Sequence, residues 1–309
     1  MPMGLLRAAL SRARRMMALP QELADAKVLA GRLLVNQIRQ SPALDFQQAE
    51  FRVFSQFGDD GLIQFLVHRL AIAPRERRFI EFGVEDYAEA NTRFLLVNDN
   101  WSGLVLDADP RRIARLRAET LYWRQDLTAL AAFIDADNID RLIAGAGFGG
   151  EIGLLSIDLD GNDYWVWARI ECTRPVIVIA EYNSVLGAEH AVSIPYDPAF
   201  RRGAAHFSNL YWGCSIAALA ALGARKGYAL VGSNSAGNNA YFVRRDRLGG
   251  LRELPPEEAY VESRFRESRD RAGALSYLSG AARLRAIGEL PLEQVETGRR
   301  ATIAELYRL

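Results

Sequence analysis

FIEFGVEDYAEA (Phe79–Ala90), followed by GLVLDADP (Gly103–Pro110), decides how this chain is read. The first stretch is a buried strand that ends in a carboxylate and a glycine and then turns toward a helix. The second is a parallel neighbour that also ends in a carboxylate. A third stretch, LLSIDLDGNDYW (Leu154–Trp165), brings more acids to the same edge. Open α/β sheets hold nucleoside-containing ligands at the carboxyl ends of their strands. Gly83 lets backbone come close to such a ligand, and Asp107 stands where a ribose diol needs a bidentate acceptor.

Working outward, the chain after Pro42 alternates strands and helices. Ser55–Leu70 reads as a helix capped near Gly58–Asp59, and Asn91–Asp99 as a helix with Asn91 as N-cap. Pro110 opens the helix after the second strand. Leu121–Leu127 reads as a short third strand and Asp135–Gly147 as a helix. GLLSIDLDG is a strand buried on both faces, and PVIVIAEYN (Pro175–Asn183) is the fifth. Ser184–Asn209 shows little periodicity and reads as a lid or binding segment. A helix over Ser215–Gly227 precedes YALVGSNSAGNNAYFVRRD, two strands around a Gly/Asn/Ser turn. Beyond Arg244 the charged, Pro-punctuated tail reads as one or two peripheral helices. The boundaries follow as a helical arm over 1–45, an α/β domain over 46–247 and a helical tail over 248–309.

The chain has 309 residues, half of them hydrophobic, and zero formal net charge, which fits one large α/β domain and gives no basic surplus for nucleic acid. Cys172 and Cys214 lack CxxC spacing, so a disulfide framework or zinc site is not expected and a cytoplasmic, reducing compartment is the default. No apolar run reaches bilayer-spanning length. The first forty residues are rich in Arg, Ala and Leu at helical spacing. They read as an arm packing on its own domain or on a second copy in a homo-oligomer, with an interfacial membrane helix as the alternative.

With SQFGDDGLI, FIEFGVED, GLVLDADP and LLSIDLDGNDYW in this order, the run from Ser55 to Val243 resembles class I S-adenosylmethionine-dependent methyltransferases, and within them the FkbM-type group. The resemblance implies a Rossmann-like, seven-stranded, mostly parallel sheet ending in an antiparallel hairpin, with helices on both faces. It implies S-adenosylmethionine as cofactor, Glu81 and Gly83 at its methionine end, Asp107 on the ribose and Asp126 near the adenine. It also implies methyl transfer to a hydroxyl of a small-molecule or glycan acceptor. The glycine loop departs from the pattern, because Glu85, Asp86 and Tyr87 stand where further glycines are usual. A negative Glu85 suits a cationic sulfonium and opposes a pyrophosphate, which needs a lean Gly-rich turn.

Asp158, Asp160 and Asp163 follow the fourth strand, and Glu181 and Asn183 end the fifth. Parallel strands lie about 4.8 Å apart, so these ends can converge. Asp158, Glu181 and Asn183 form an oxygen-only set suited to Mg²⁺, as in metal-dependent O-methyltransferases. Asp158 is also the leading candidate for catalysis, with His206 and His190 of the lid-like segment as candidate bases; His68 reads as structural. Ser55 and Gln56 match the group's SQ motif, with helix capping as the simple account. The rival readings are a non-catalytic scaffold that keeps the fold and an NAD-dependent oxidoreductase. The second lacks its glycine-rich turn and its Tyr-x-x-x-Lys pair.

Overall fold

The computed structural model describes residues 3–309, with side chains from Glu22 onward. Its centre is a seven-stranded sheet of β1 (Arg78–Phe82), β2 (Ser102–Asp107), β3 (Leu127–Ala131), β4 (Gly150–Ile157), β5 (Thr173–Glu181), β7 (Tyr228–Ser233) and β8 (Asn239–Arg244). The spatial order is β3-β2-β1-β4-β5-β8-β7. Six strands run in one direction, and β8 alone runs against them, antiparallel to both β5 and β7. This is the expected Rossmann-like, seven-stranded, mostly parallel sheet ending in an antiparallel hairpin, and the hairpin lies beside β5.

Residue parity explains why the central strands are apolar throughout. Ile80, Phe82, Leu104, Leu155 and Val178 face one core, closed by the helices Ile139–Gly145, Asp163–Arg169 and Ile216–Arg225. Phe79, Val105, Leu154, Ile177 and Tyr241 face the other, under the helices Asp59–Arg69, Arg93–Asp99 and Pro110–Ala118. A strand covered on both sides has no solvent face to make polar.

Three local expectations are corrected. Thr120–Arg124 is a short helix, and the third strand is LTALA, Leu127–Ala131. The N-cap position of the helix after β1 falls to Thr92, one residue past Asn91. The tail is more than peripheral helices. Within the Ser184–Asn209 segment, β6 (Val192–Ser193) pairs with β9 (Pro291–Gln294), which pairs with β10 (Arg300–Thr302). Leu186, Val192, Ile194, Leu210, Ile287, Leu292 and Ile303 form a separate small core. The lid-like segment and the tail thus stabilise each other as one appendage, fixed by burial that local periodicity cannot reveal.

The N-terminal helix Met3–Gln40 packs Val28 and Val35 against Val53 and Phe94 of the domain. Among the described residues no helix is long and apolar enough to cross a membrane.

Candidate functional site

Two clefts open at the carboxyl ends of the strands. The first, about 180 Å³, is lined by Gly83, Glu85, Asp107, Phe133, Asp158 and Phe200, among others. Gly83 has φ +71°, and a Cβ there would lie 2.0 Å from the backbone oxygen of Asp158. The glycine is therefore demanded by the approach of β1 to the end of β4, whatever the ligand. Asp107 ties the first two turns together, accepting from the N–H of Glu85 and of Asp109, each at 2.8 Å. The N-cap of the next helix is Asp109, which accepts from Arg111 N–H, so Asp107 is left at the cleft wall.

The structure places two of the sequence-assigned cofactor residues, Glu81 and Asp126, away from the cleft and gives a third, Glu85, a partner within the protein. Glu81 is buried and does not line the cleft. Its carboxylate accepts from the N–H groups of Asn91 and Thr92 and from the Thr92 hydroxyl. It closes the loop ahead of the Arg93–Asp99 helix, and burial raises its pKa to about 7. Glu85 reaches the cleft, but its carboxylate pairs with Arg112 at 3.2 Å. The charge assigned to the ligand is thus partly answered by the protein. Asp126 precedes β3 at the opposite edge of the sheet, accepting from the Ser102 hydroxyl at 2.5 Å. Because β3 begins at Leu127, Asp126 lies at its amino end, and Ala132–Ile134 occupy the rim at its carboxyl end.

The second cleft, about 250 Å³, lies over the end of β5. Gln56, Phe57, Glu181, Tyr182, Arg202 and Trp212 line it, and the tail adds Phe265, Arg266 and Arg283. Asp158 on the first cleft and Glu181 on the second bring carboxylate oxygens within 4.8 Å of each other. The two clefts meet at this acid pair.

The pair has an unusual electrostatic position. Burial, followed by the repulsion of neighbouring acids, pushes the pKa of Asp158 and of Glu181 well up. Asp163 rises to about 6 for the same leading reason. Glu181 Oε2 is buried with no hydrogen-bond partner. Like charges this close do not all ionise unless a cation joins them. Oxygen atoms of Asp158, Asp163 and Glu181 lie within 4.8 Å of one another. This all-oxygen set, with one orphaned oxygen, fits a hard divalent cation. The expected third ligand, Asn183, does not belong to it. Its amide nitrogen donates to the carbonyls of Leu210 and Trp212, and its oxygen accepts from Val185 N–H. Asp163 stands in that place, although it also accepts from Leu159 and Gly161 N–H to shape the loop after β4.

Neither candidate histidine lines either cleft. The His190 ring packs edge-on against Tyr307 in the appendage. His206 bonds the Ser208 hydroxyl at 2.7 Å, and burial lowers its pKa. His68 is exposed on its helix. Of the aromatics that follow the fourth and fifth strands, Tyr182 lines the second cleft. Trp165 instead anchors the appendage by donating to the Ile194 carbonyl.

The SQFGDDG stretch gains a physical account. Asp60 Oδ2 accepts from the N–H of Val53, Phe54 and Ser55 and from the Ser55 hydroxyl, while Ser55 Oγ accepts from Asp60 N–H. Asp59 accepts from Asn239 and Tyr241 and so pins the helix to the β7–β8 hairpin. The turn thereby aims Gln56 and Phe57 at the second cleft. Sequence reasoning placed Asp163 in the acid cluster but not in the metal set, and missed Phe57, Arg202, Trp212, Arg266 and Arg283. Asp163 was legible in the DLDGND string, and Phe57 adjoins the SQ motif. The tail residues carry no local signal.

No family model and no curated protein matches the sequence. Solved structures are similar at low identity. The N-terminal domain of EvdMO1 with S-adenosylhomocysteine bound is 13% identical with TM-score 0.38, over 69% of this chain and 94% of that one. An O-methyltransferase from Bacillus cereus in complex with S-adenosylhomocysteine is 16% identical with TM-score 0.38, over 73% and 95%. A putative O-methyltransferase from Klebsiella pneumoniae is 14% identical with TM-score 0.37, over 68% and 87%. The fold assignment rests on strand order and direction rather than on these likenesses.

Proposed function

We propose that this protein is an S-adenosylmethionine-dependent methyltransferase acting on a hydroxyl of a sugar or other small metabolite, in keeping with its FkbM-like motifs. One observation carries the reading: two clefts at the switch edge of this sheet meet at Asp158 and Glu181. The cofactor lies in the first cleft, with Asp107 toward the ribose, and the acceptor in the second. The acceptor oxygen attacks the sulfonium methyl in line, the carbon–sulfur bond breaks, and the hydroxyl proton passes to the acid pair. Most of the acceleration comes from holding the two reactants together. Asp158, Asp163 and Glu181 would hold Mg²⁺, which would supply polarisation of a bound hydroxyl.

Calorimetry with S-adenosylmethionine and S-adenosylhomocysteine tests the reading. Saturable binding of both, lost in Asp107→Ala, is expected. Absence of binding by either would leave the scaffold reading standing. For the metal, Mg²⁺ should raise the melting temperature of the wild type and not of Glu181→Gln; equal melting with EDTA and with Mg²⁺ removes the ion from the scheme.

A further inference from the structure

Resting on the methyltransferase reading, we infer that the acceptor carries an anionic group, a carboxylate or a phosphate, which Arg266 and Arg283 of the tail bind while the hydroxyl lies at the Asp158–Glu181 junction.

Three arginines line the second cleft. Arg202 is answered by Asp160 at 2.7 Å and lies over the Trp212 ring. Arg283 is answered at both Nη atoms but not at Nε. Its Nη2 donates to Glu262 at 2.8 Å and its Nη1 to the Ser263 carbonyl and hydroxyl at 3.1 Å. Its side chain is 5% exposed, and its Nε is buried without any partner. Leaving such a donor unmatched is costly, and the residue borders a cleft. Arg266 has only the Tyr277 carbonyl at 3.5 Å and the Tyr277 ring at 5.3 Å. Among the described residues no carboxylate pairs with it.

Glu262 answers Arg283, but among the described residues no acid of the cleft answers Arg266. Glu267 is exposed and lies 3.8 Å from Arg269. Glu181 crowds Asp158, their carboxylate oxygens within 4.8 Å. The cleft therefore offers the exposed guanidinium of Arg266 with no carboxylate partner, the unpartnered Nε–H of the buried Arg283, and Phe57, Phe265 and Trp212 as apolar walls. Guanidinium groups bind carboxylate and phosphate through paired N–H donors. Aromatic walls suit the carbon face of a ring that carries the anion.

The full-length protein is titrated by calorimetry with D-galacturonate against D-galactose and with D-glucose 6-phosphate against D-glucose, with and without S-adenosylhomocysteine. One anion should bind about tenfold more tightly than its neutral counterpart, the scale of one charge-assisted contact. Which anion wins separates carboxylate from phosphate. The advantage should vanish in Arg266→Ala while S-adenosylhomocysteine affinity is unchanged. Equal binding of anion and neutral sugar, binding of neither anion, or a preference that survives Arg266→Ala overturns the inference. Failure of S-adenosylhomocysteine to bind strikes the methyltransferase reading instead, and the ligand-free titrations still report anion preference.

Discussion

The two halves of the sheet's carboxyl edge use the same residue types in opposite ways. Over β1 and β2, and in the turn beside them, the acids serve the chain itself. Glu81, Asp107 and Asp60 each accept two or more of the protein's own N–H or O–H groups. Over β4 and β5 the acids crowd one another, and Glu181 Oε2 has no partner at all. A strand-end carboxylate is thus not by itself a ligand contact. What sets the β4–β5 acids apart is crowding: Asp158, Asp163 and Glu181 bring oxygens within 4.8 Å of one another at the meeting of the clefts, whereas the acids of the other side stand apart and accept from the chain.

The largest expected effect breaks the satisfied side. Asp60→Ala removes the acceptor shared by Val53, Phe54 and Ser55 in a buried turn. The orphaned N–H groups should cost about 3–5 kcal/mol, read as a lower urea midpoint with unchanged slope. A loss under about 1 kcal/mol would mean that water reaches the turn.

Glu81 gives the pH counterpart. Its pKa is raised from 4.5 in the reference state to about 7 in the fold. The unfolded chain therefore releases this proton first. Stability from Glu81 is fully present below about pH 4.5 and is lost as pH rises through about 7. The decline amounts to at most about 3 kcal/mol. Urea titrations across that window should fall for the wild type and flatten in Glu81→Gln. A wild type that instead gains stability over the same range would show that the three hydrogen bonds outweigh desolvation.

On the unsatisfied side the expected loss is of turnover. Glu181→Gln removes one of two repelling acids and keeps the side chain's size. Stability should hold or rise, while methyl transfer falls about 100-fold, the scale of a lost proton acceptor. A variant that keeps wild-type turnover would separate the acid pair from the chemistry.

The same contrast marks how far the sequence could be read. VIVIA and LLSI are legible because a strand covered on both faces must be apolar. The edge strand LTALA is not, since its residues alternate in exposure while the neighbouring LYW offers a stronger aromatic signal. Trp123 in that signal is 74% exposed and belongs to a helical turn. Asp158 and Glu181 are legible as strand ends. The exchange of Asn183 for Asp163 is not, because it depends on which carbonyls the Asn183 amide meets after folding. Arg266 and Arg283 reach the cleft only through an appendage whose core joins residues about a hundred positions apart, such as Val192 and Leu292.

The smallest effect tests the one place where the two sides blur. Glu85 lines the first cleft, yet its carboxylate is paired with Arg112. Both side chains are more than a third exposed, at 69% and 39%, so Arg112→Ala should change stability by less than about 0.5 kcal/mol. Its consequence lies in ligand charge. S-adenosylmethionine carries a sulfonium and S-adenosylhomocysteine a neutral thioether, so the ratio of their affinities reports the field at the sulfur. Releasing Glu85 from Arg112 should shift that ratio toward S-adenosylmethionine by roughly two- to threefold at low salt, and less as salt screens the charge. An unchanged ratio places Glu85 beyond the reach of the sulfur, and its part is then confined to the backbone N–H that it donates to Asp107.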